Sequence, residues 1–195
     1  MRKLALLSTV ITVLFFATFA SAQQGDAMFG GNALLSPGSC NATTGTCPEK
    51  GGFYPSVSAD VVFHKRIGFN WETSWRASQG SYAGQPYRPI LTDFNALYEP
   101  VLSKKVRLDL MGGVGWQSTR FYLPYCTNSF SCSNFVSTRH FLTDVGGGIR
   151  YYVWGHVFVR PEIHYYYILN NTDAFSNTNV FRVGASIGYT IGGPE

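Results

Sequence analysis

The sequence predicts an all-β fold, an eight-stranded antiparallel up-and-down transmembrane β-barrel behind an N-terminal signal peptide. Three observations predict it: strands with one apolar and one charged face, connections alternating between tight and long, and an export signal at the start of the chain. Between Ile67 and Ala77 the apolar positions Ile67, Phe69, Trp71 and Trp75 alternate with Gly68, Asn70, Glu72, Ser74 and Arg76. Side chains on a strand alternate between faces, so this stretch has one greasy face and one ionic face.

The export signal comes first in the chain. Arg2 and Lys3 precede a mostly apolar run from Leu4 to Phe19, and Ala20-Ser21-Ala22 offers the small residues a signal peptidase needs. That run is shorter than the ~20 residues of a spanning helix. Residues 1–22 are therefore read as a cleaved signal peptide and residues 23–195 as one barrel domain. Without Arg2 and Lys3 the 15 basic residues fall to 13 against 11 acidic ones, a balance that does not suggest nucleic acid. Charged residues make up 13% of the chain and aromatic ones 16%, an imbalance unlike an ordinary soluble surface.

Strands are expected at Ala27 to Leu35, Phe53 to Phe63, Ile67 to Ala77, Arg88 to Val101, Lys105 to Phe121, His140 to Val153, Val157 to Leu169 and Val180 to Ile191. Tight turns at His64 to Arg66, Ser103 to Lys104 and Trp154 to His156 alternate with long polar connections. This is the meander of an up-and-down barrel.

The charges Asp60, Glu72, Arg76, Asp93, Glu99, Arg107, Asp109, Asp144, Arg150, Arg160, Glu162 and Arg182 share one parity with Gly68, Gly113, Gly115, Gly146, Gly148, Gly184 and Gly188. The opposite parity carries Trp, Tyr and Phe toward strand ends and Val, Leu and Ile nearer the middle. A soluble, lipocalin-like barrel would turn the charges to water. Interleaved glycines instead suit a narrow lumen, and the aromatic placement suits two girdles at membrane interfaces, so the apolar face is assigned to lipid. The twelve charges then form a lumen ion-pair network, seven acids and five bases with a net of −2, that plugs the interior.

The signal peptide, the meander, the Gly-aromatic stretch Met111 to Trp116 and the Phe158-Val159-Arg160-Pro161-Glu162 strand resemble the bacterial outer-membrane β-barrel domain family, the small OmpA/OmpX-type barrels. The resemblance covers essentially the whole mature chain and implies residence in the outer membrane. It also implies an assembly signal in the last strand, read by the outer-membrane assembly machinery, matched here by Arg182, Gly184, Ile187 and Tyr189. The family often ends on an aromatic residue, whereas this chain continues to Glu195.

Cys40, Cys47, Cys126 and Cys132 fit an oxidising compartment as two close pairs. Three pairings are possible, and the local bridges Cys40 to Cys47 and Cys126 to Cys132, which close the shortest loops, are the expected ones. Neither pair has CxxC-like spacing with histidine support, so no metal site and no cofactor are expected. Arg88, Arg120 and Arg139 have the lipid-facing parity at the long-loop ends of three successive strands, where lipopolysaccharide phosphates would meet them. Lys65, Arg66, Lys104 and Lys105 lie at the short turns and read as wetted charges.

An enzyme is not expected. Ser137, His140 and His164 allow a lipid A-modifying hydrolase as an alternative, but the histidines have the inward parity. Gly146 to Gly148 open no helix and are not a phosphate loop. Asn41-Ala42-Thr43 and Asn170-Asn171-Thr172 match glycosylation sequons, which mean little in a bacterial host. The expected function is a monomeric structural or surface-interaction barrel, adhesion-like and loop-mediated, with a small channel as a further alternative. The partner of the loops is not encoded in any motif.

Overall fold

The computed structural model describes residues 24–36, 52–64, 66–82, 84–128, 131–170 and 178–192. The signal segment, Cys40, Cys47, the first sequon, most of the second and Lys65 lie outside the described residues. Eleven strands are described: β1 (Gln24–Leu35), β2 (Tyr54–His64), β3 (Ile67–Trp75), β4 (Gly80–Tyr82), β5 (Gln85–Tyr98), β6 (Val106–Phe121), β7 (Tyr125–Asn128), β8 (Ser131–Ser133), β9 (Val136–Trp154), β10 (Val157–Ile168) and β11 (Asn179–Gly192).

Eight of these form the barrel wall, each antiparallel to its sequence neighbour, and β1 closes on β11 from Gln24↔Gly192 to Leu35↔Phe181. Closure leaves no edge with unpaired backbone groups, which a sheet needs if it is to stand in hydrocarbon. The short strands belong to the long connections: β4 extends the β5 edge, and β7 and β8 form a separate hairpin.

The tight turns fall where expected. Arg66 (φ 76°) and Gly155 (φ 52°) adopt left-handed backbone there, as two-residue hairpin turns require. The expected strand to Val101 ends instead at Tyr98, because Pro100 has no N–H for the ladder; Ser103 closes this turn through its carbonyl and hydroxyl oxygens, both accepting from the Val106 N–H. At the opposite end β9 begins at Val136, four residues before the expected His140. Its ladder with β6 runs from Val106↔Tyr151 to Phe121↔Val136. At 16 and 19 residues these strands exceed the ~9–11 that cross a bilayer, so the hairpin stands proud of the apolar band.

The inside-out alternation is the rule throughout. Outward positions include Phe29, Phe69, Trp71, Leu110, Val114, Trp116, Val145, Ile149, Ile163, Val183 and Ile187, all exposed. Tyr98, Tyr151, Trp154 and Tyr189 gather at the tight-turn end of this surface, with Trp154 the most exposed at 83%. Inward positions hold the charges together with two apolar clusters. Leu34, Tyr54, Leu91, Leu142, Tyr166, Ile168 and Val180 cap the long-loop end, and Val62, Leu97 and Met111 form a smaller cluster among the charges, with Glu99 and Arg107 nearer the tight turn on the same strands.

Inward glycines make room for the large side chains. A Cβ on Gly146 would lie 2.4 Å from Nδ1 of His164, and one on Gly188 would lie 2.4 Å from the Phe158 ring. Alternation of small and large residues is how a narrow barrel is filled.

Candidate functional site

From the apolar layer at the long-loop end toward the tight turns the lumen carries a continuous polar network. At its tight-turn end Arg150, on β9, is fully buried and touches four carboxylates: Asp26 at 2.5 Å, Asp60 at 2.8 Å, and Asp109 and Glu99 at 2.9 Å. Its guanidinium lies 4.4 Å from the centre of the Phe158 ring, so one face is held by an aromatic surface. Arg160, on β10, reaches Asp60 at 3.1 Å and Asp109 at 3.3 Å, and binds Glu162 at 2.8 Å. Arg107 joins Glu99 at 2.6 Å, donates to Gln24 and stacks 4.9 Å over Tyr152.

Toward the long-loop end Arg182, on β11, grips Glu72 as a two-pronged fork, both contacts at 2.7 Å. Such a fork fixes orientation as well as charge. Arg182 also lies 3.5 Å from Glu162, which ties the two ends together. Among the described residues Asp144 receives no guanidinium; it meets Nδ1 of His164 at 2.9 Å. Asp93 accepts from Asn95 at 2.8 Å and from the Tyr166 hydroxyl at 3.1 Å. A second link runs through neutral groups, with Asn95 donating to Asn70 at 3.2 Å and Asn70 donating to Asp60 at 2.6 Å.

The structure thus brings together Asp60, Glu72, Asp93, Glu99, Arg107, Asp109, Asp144, Arg150, Arg160, Glu162 and Arg182. Arg76 stands apart from the other eleven: at the long-loop end it donates to the Tyr87 hydroxyl at 2.8 Å and lies over that ring. Its strand ends at Trp75, so Arg76 sits past the last lumen position of β3. Asp26 joins the network from outside the expected strand, because β1 begins at Gln24, three residues before the expected Ala27. Its signal was available, since Asp26, Met28, Gly30 and Asn32 alternate with Ala27, Phe29 and Ala33.

Ser137 and His140 are not brought together, because they are three residues apart on one strand and face opposite sides. Ser137 pairs with the outward Arg120, and His140 with the inward Gln117. Arg88 and Arg120 stand directly opposite each other, and Arg139 pairs with Ser118 two positions along. Arg88 donates to the Ala77 carbonyl, and Arg120 lies 5.2 Å over the Phe135 ring. In the assembly signal, Ile187 and Tyr189 point outward and Arg182 points inward. Cys126 pairs in register with Cys132 across the β7–β8 hairpin.

No family model matches the chain, and no curated protein does. Solved structures do. Neisserial surface protein A superposes with a TM-score of 0.58 at 15% identity, over 85% of this chain and 95% of that one. The fold is that of the small outer-membrane β-barrels. The N-terminal β-barrel domain of Pseudomonas aeruginosa OprF (TM-score 0.54, 12% identity, 87% and 98% covered) shares it. So does Ail of Yersinia pestis, an attachment invasion locus protein solved with the heparin analogue sucrose octasulfate (TM-score 0.55, 11% identity, 88% and 99% covered). Among the described residues no helix is long and apolar enough to cross a membrane, which says nothing of a barrel's strands.

Proposed function

We propose that the chain is a monomeric, integral protein of the bacterial outer membrane with a plugged lumen, acting through its long loops in surface interaction. The observation that supports this reading most is the lumen itself. Arg150, Arg160 and Arg182 are fully buried and ion-paired, and an apolar layer lies over the network at its long-loop end. Buried ions persist only when paired, and an eight-stranded barrel has just enough interior for its own side chains. The tight turns would then face the periplasm and the long loops the exterior, as in other outer-membrane barrels.

The rim arginines support lipopolysaccharide as a lipid partner. Like charges directly opposite each other on a sheet repel, yet Arg88 faces Arg120, and among the described residues no carboxylate is paired with either. Phosphates arriving from the outer leaflet would relieve that repulsion through guanidinium forks. The β7–β8 register supports a Cys126 to Cys132 bridge that stiffens the loop beside this rim. The outward Ile187 and Tyr189 of β11 remain available to the assembly machinery during insertion.

Outer-membrane fractionation combined with gel mobility before and after heating tests the placement; a barrel in the outer membrane fraction should migrate differently once boiled. Planar-bilayer recordings should show no resolved single-channel conductance, and open steps would replace the plug with a channel. Incubation with labelled lipid A should release no acyl chain; release would make the protein an enzyme. Co-purified lipopolysaccharide should fall in the Arg88→Ala/Arg120→Ala/Arg139→Ala variant, and unchanged lipid would remove the rim site.

A further inference from the structure

Acids outnumber bases in the lumen. Among the described residues Asp26, Asp60, Glu72, Asp93, Glu99, Asp109, Asp144 and Glu162 are buried, against three fully buried guanidiniums and the partly buried Arg107 and Arg76. The surplus sits toward the long-loop end, where Arg182 contacts Glu72 and Glu162, Arg160 reaches Glu162 of these acids, and Asp93 and Asp144 rest on neutral donors and His164. Burying unbalanced carboxylates is costly, so this half of the lumen attracts a further cation.

Its geometry narrows which cation. One oxygen each of Glu72 and Glu162 and one ring nitrogen of His164 lie within 4.8 Å of one another, all buried. Asp144 holds Nδ1 of His164, while Nε2 is buried and makes no hydrogen bond among the described residues. An imidazole oriented by a carboxylate through one nitrogen, with the other nitrogen free, is the arrangement in which histidine ligates a metal. Ligand atoms on a tetrahedral zinc ion stand about 3.3 Å apart, so the three groups need only close slightly.

We propose that the lumen holds one divalent transition-metal ion of the zinc type, ligated by Nε2 of His164 and by Glu72 and Glu162, with Asp144 as the residue that positions the imidazole. One nitrogen and two oxygen ligands suit zinc or a neighbouring divalent metal better than calcium or magnesium, which take oxygen shells. Arg182 grips both oxygens of Glu72, and that carboxylate bridges guanidinium and metal when the ion is bound. The proposal rests on the plugged-lumen reading, and a sealed lumen implies loading during folding rather than afterwards.

The test folds the full chain from urea into detergent micelles with and without equimolar zinc, removes free ion by gel filtration, and measures bound metal and its X-ray absorption spectrum. About one ion per heat-modifiable barrel is expected, with one imidazole in a nitrogen and oxygen shell at about 2.0 Å. His164→Gln should lose most of the metal, and Asp144→Asn should weaken binding roughly ten- to a hundredfold. His156→Gln, at an exposed histidine, should load fully. A folded wild-type barrel with under about a tenth of an ion, or an absorption spectrum lacking imidazole, overturns the site. So does equal loading of wild type and His164→Gln. If His164→Gln fails to fold, wild-type stoichiometry and the loading of Glu162→Gln decide. A barrel that shifts on heating but carries no zinc refutes the metal and leaves the plug standing.

Discussion

At the tight-turn end of the lumen one guanidinium, Arg150, meets four carboxylates, whereas at the long-loop end Arg182 holds Glu72 in a fork and leaves Asp93 and Asp144 to neutral donors and a histidine. The first arrangement is a hub and the second is a pair with satellites. A hub concentrates the cost of failure in one side chain, because its removal strands several buried acids at once. A pair with satellites spreads that cost, and it leaves groups such as Nε2 of His164 uncommitted.

The largest expected effect is therefore at the hub. Arg150→Ala should lose about 3–5 kcal/mol of stability in urea titrations of the micelle-folded barrel, by orphaning buried carboxylates. Arg160→Ala should cost a few kcal/mol for the same reason, and unchanged stability in that variant would sink the network. At the long-loop end Arg182→Ala should cost about 3 kcal/mol, but the double change Glu72→Leu/Arg182→Met should recover most of it, because a buried ion pair can be replaced by apolar residues of similar volume. A double variant no better than the single one would erase the distinction between the halves. Tyr166→Phe removes one hydroxyl from Asp93 and should cost about 1 kcal/mol. The smallest effect belongs to the rim, where Arg120→Ala should shift the urea midpoint by no more than about 0.5 kcal/mol.

Much of this was legible in the sequence. A period-2 pattern with charges on one parity defines strand, face and register together, since a one-residue slip would put every charge in lipid. That is why all eight wall strands and eleven of the twelve expected lumen charges stand where the alternation puts them. Strand ends were less legible. Gln24 to Asp26 carry no large apolar residue, so the apolar pattern starts only at Ala27, three residues into β1, and leaves Asp26 outside it. Arg76 keeps the lumen parity past the point where its strand stops, and parity alone does not show where a strand stops. The two apolar clusters inside the lumen were also hidden: Leu34, Leu91, Leu142 and Ile168 interrupt the alternation as extra apolar residues at polar positions, and only the closed barrel shows that they meet. Who pairs with whom among the charges depends on long contacts across the lumen, such as Arg150 to Asp26, that no spacing encodes.

Which face of the wall meets lipid is tested most directly by fluorescence quenching with brominated phospholipids. Trp71 and Trp116 are exposed on the apolar surface, at 37% and 43%. Single-tryptophan versions of the chain that keep either one, folded into vesicles containing bromolipid, should be strongly quenched. Emission untouched by bromolipid yet sensitive to an aqueous quencher would mean that the apolar face lies away from the bilayer, and would contradict the inverted barrel on which every other assignment rests.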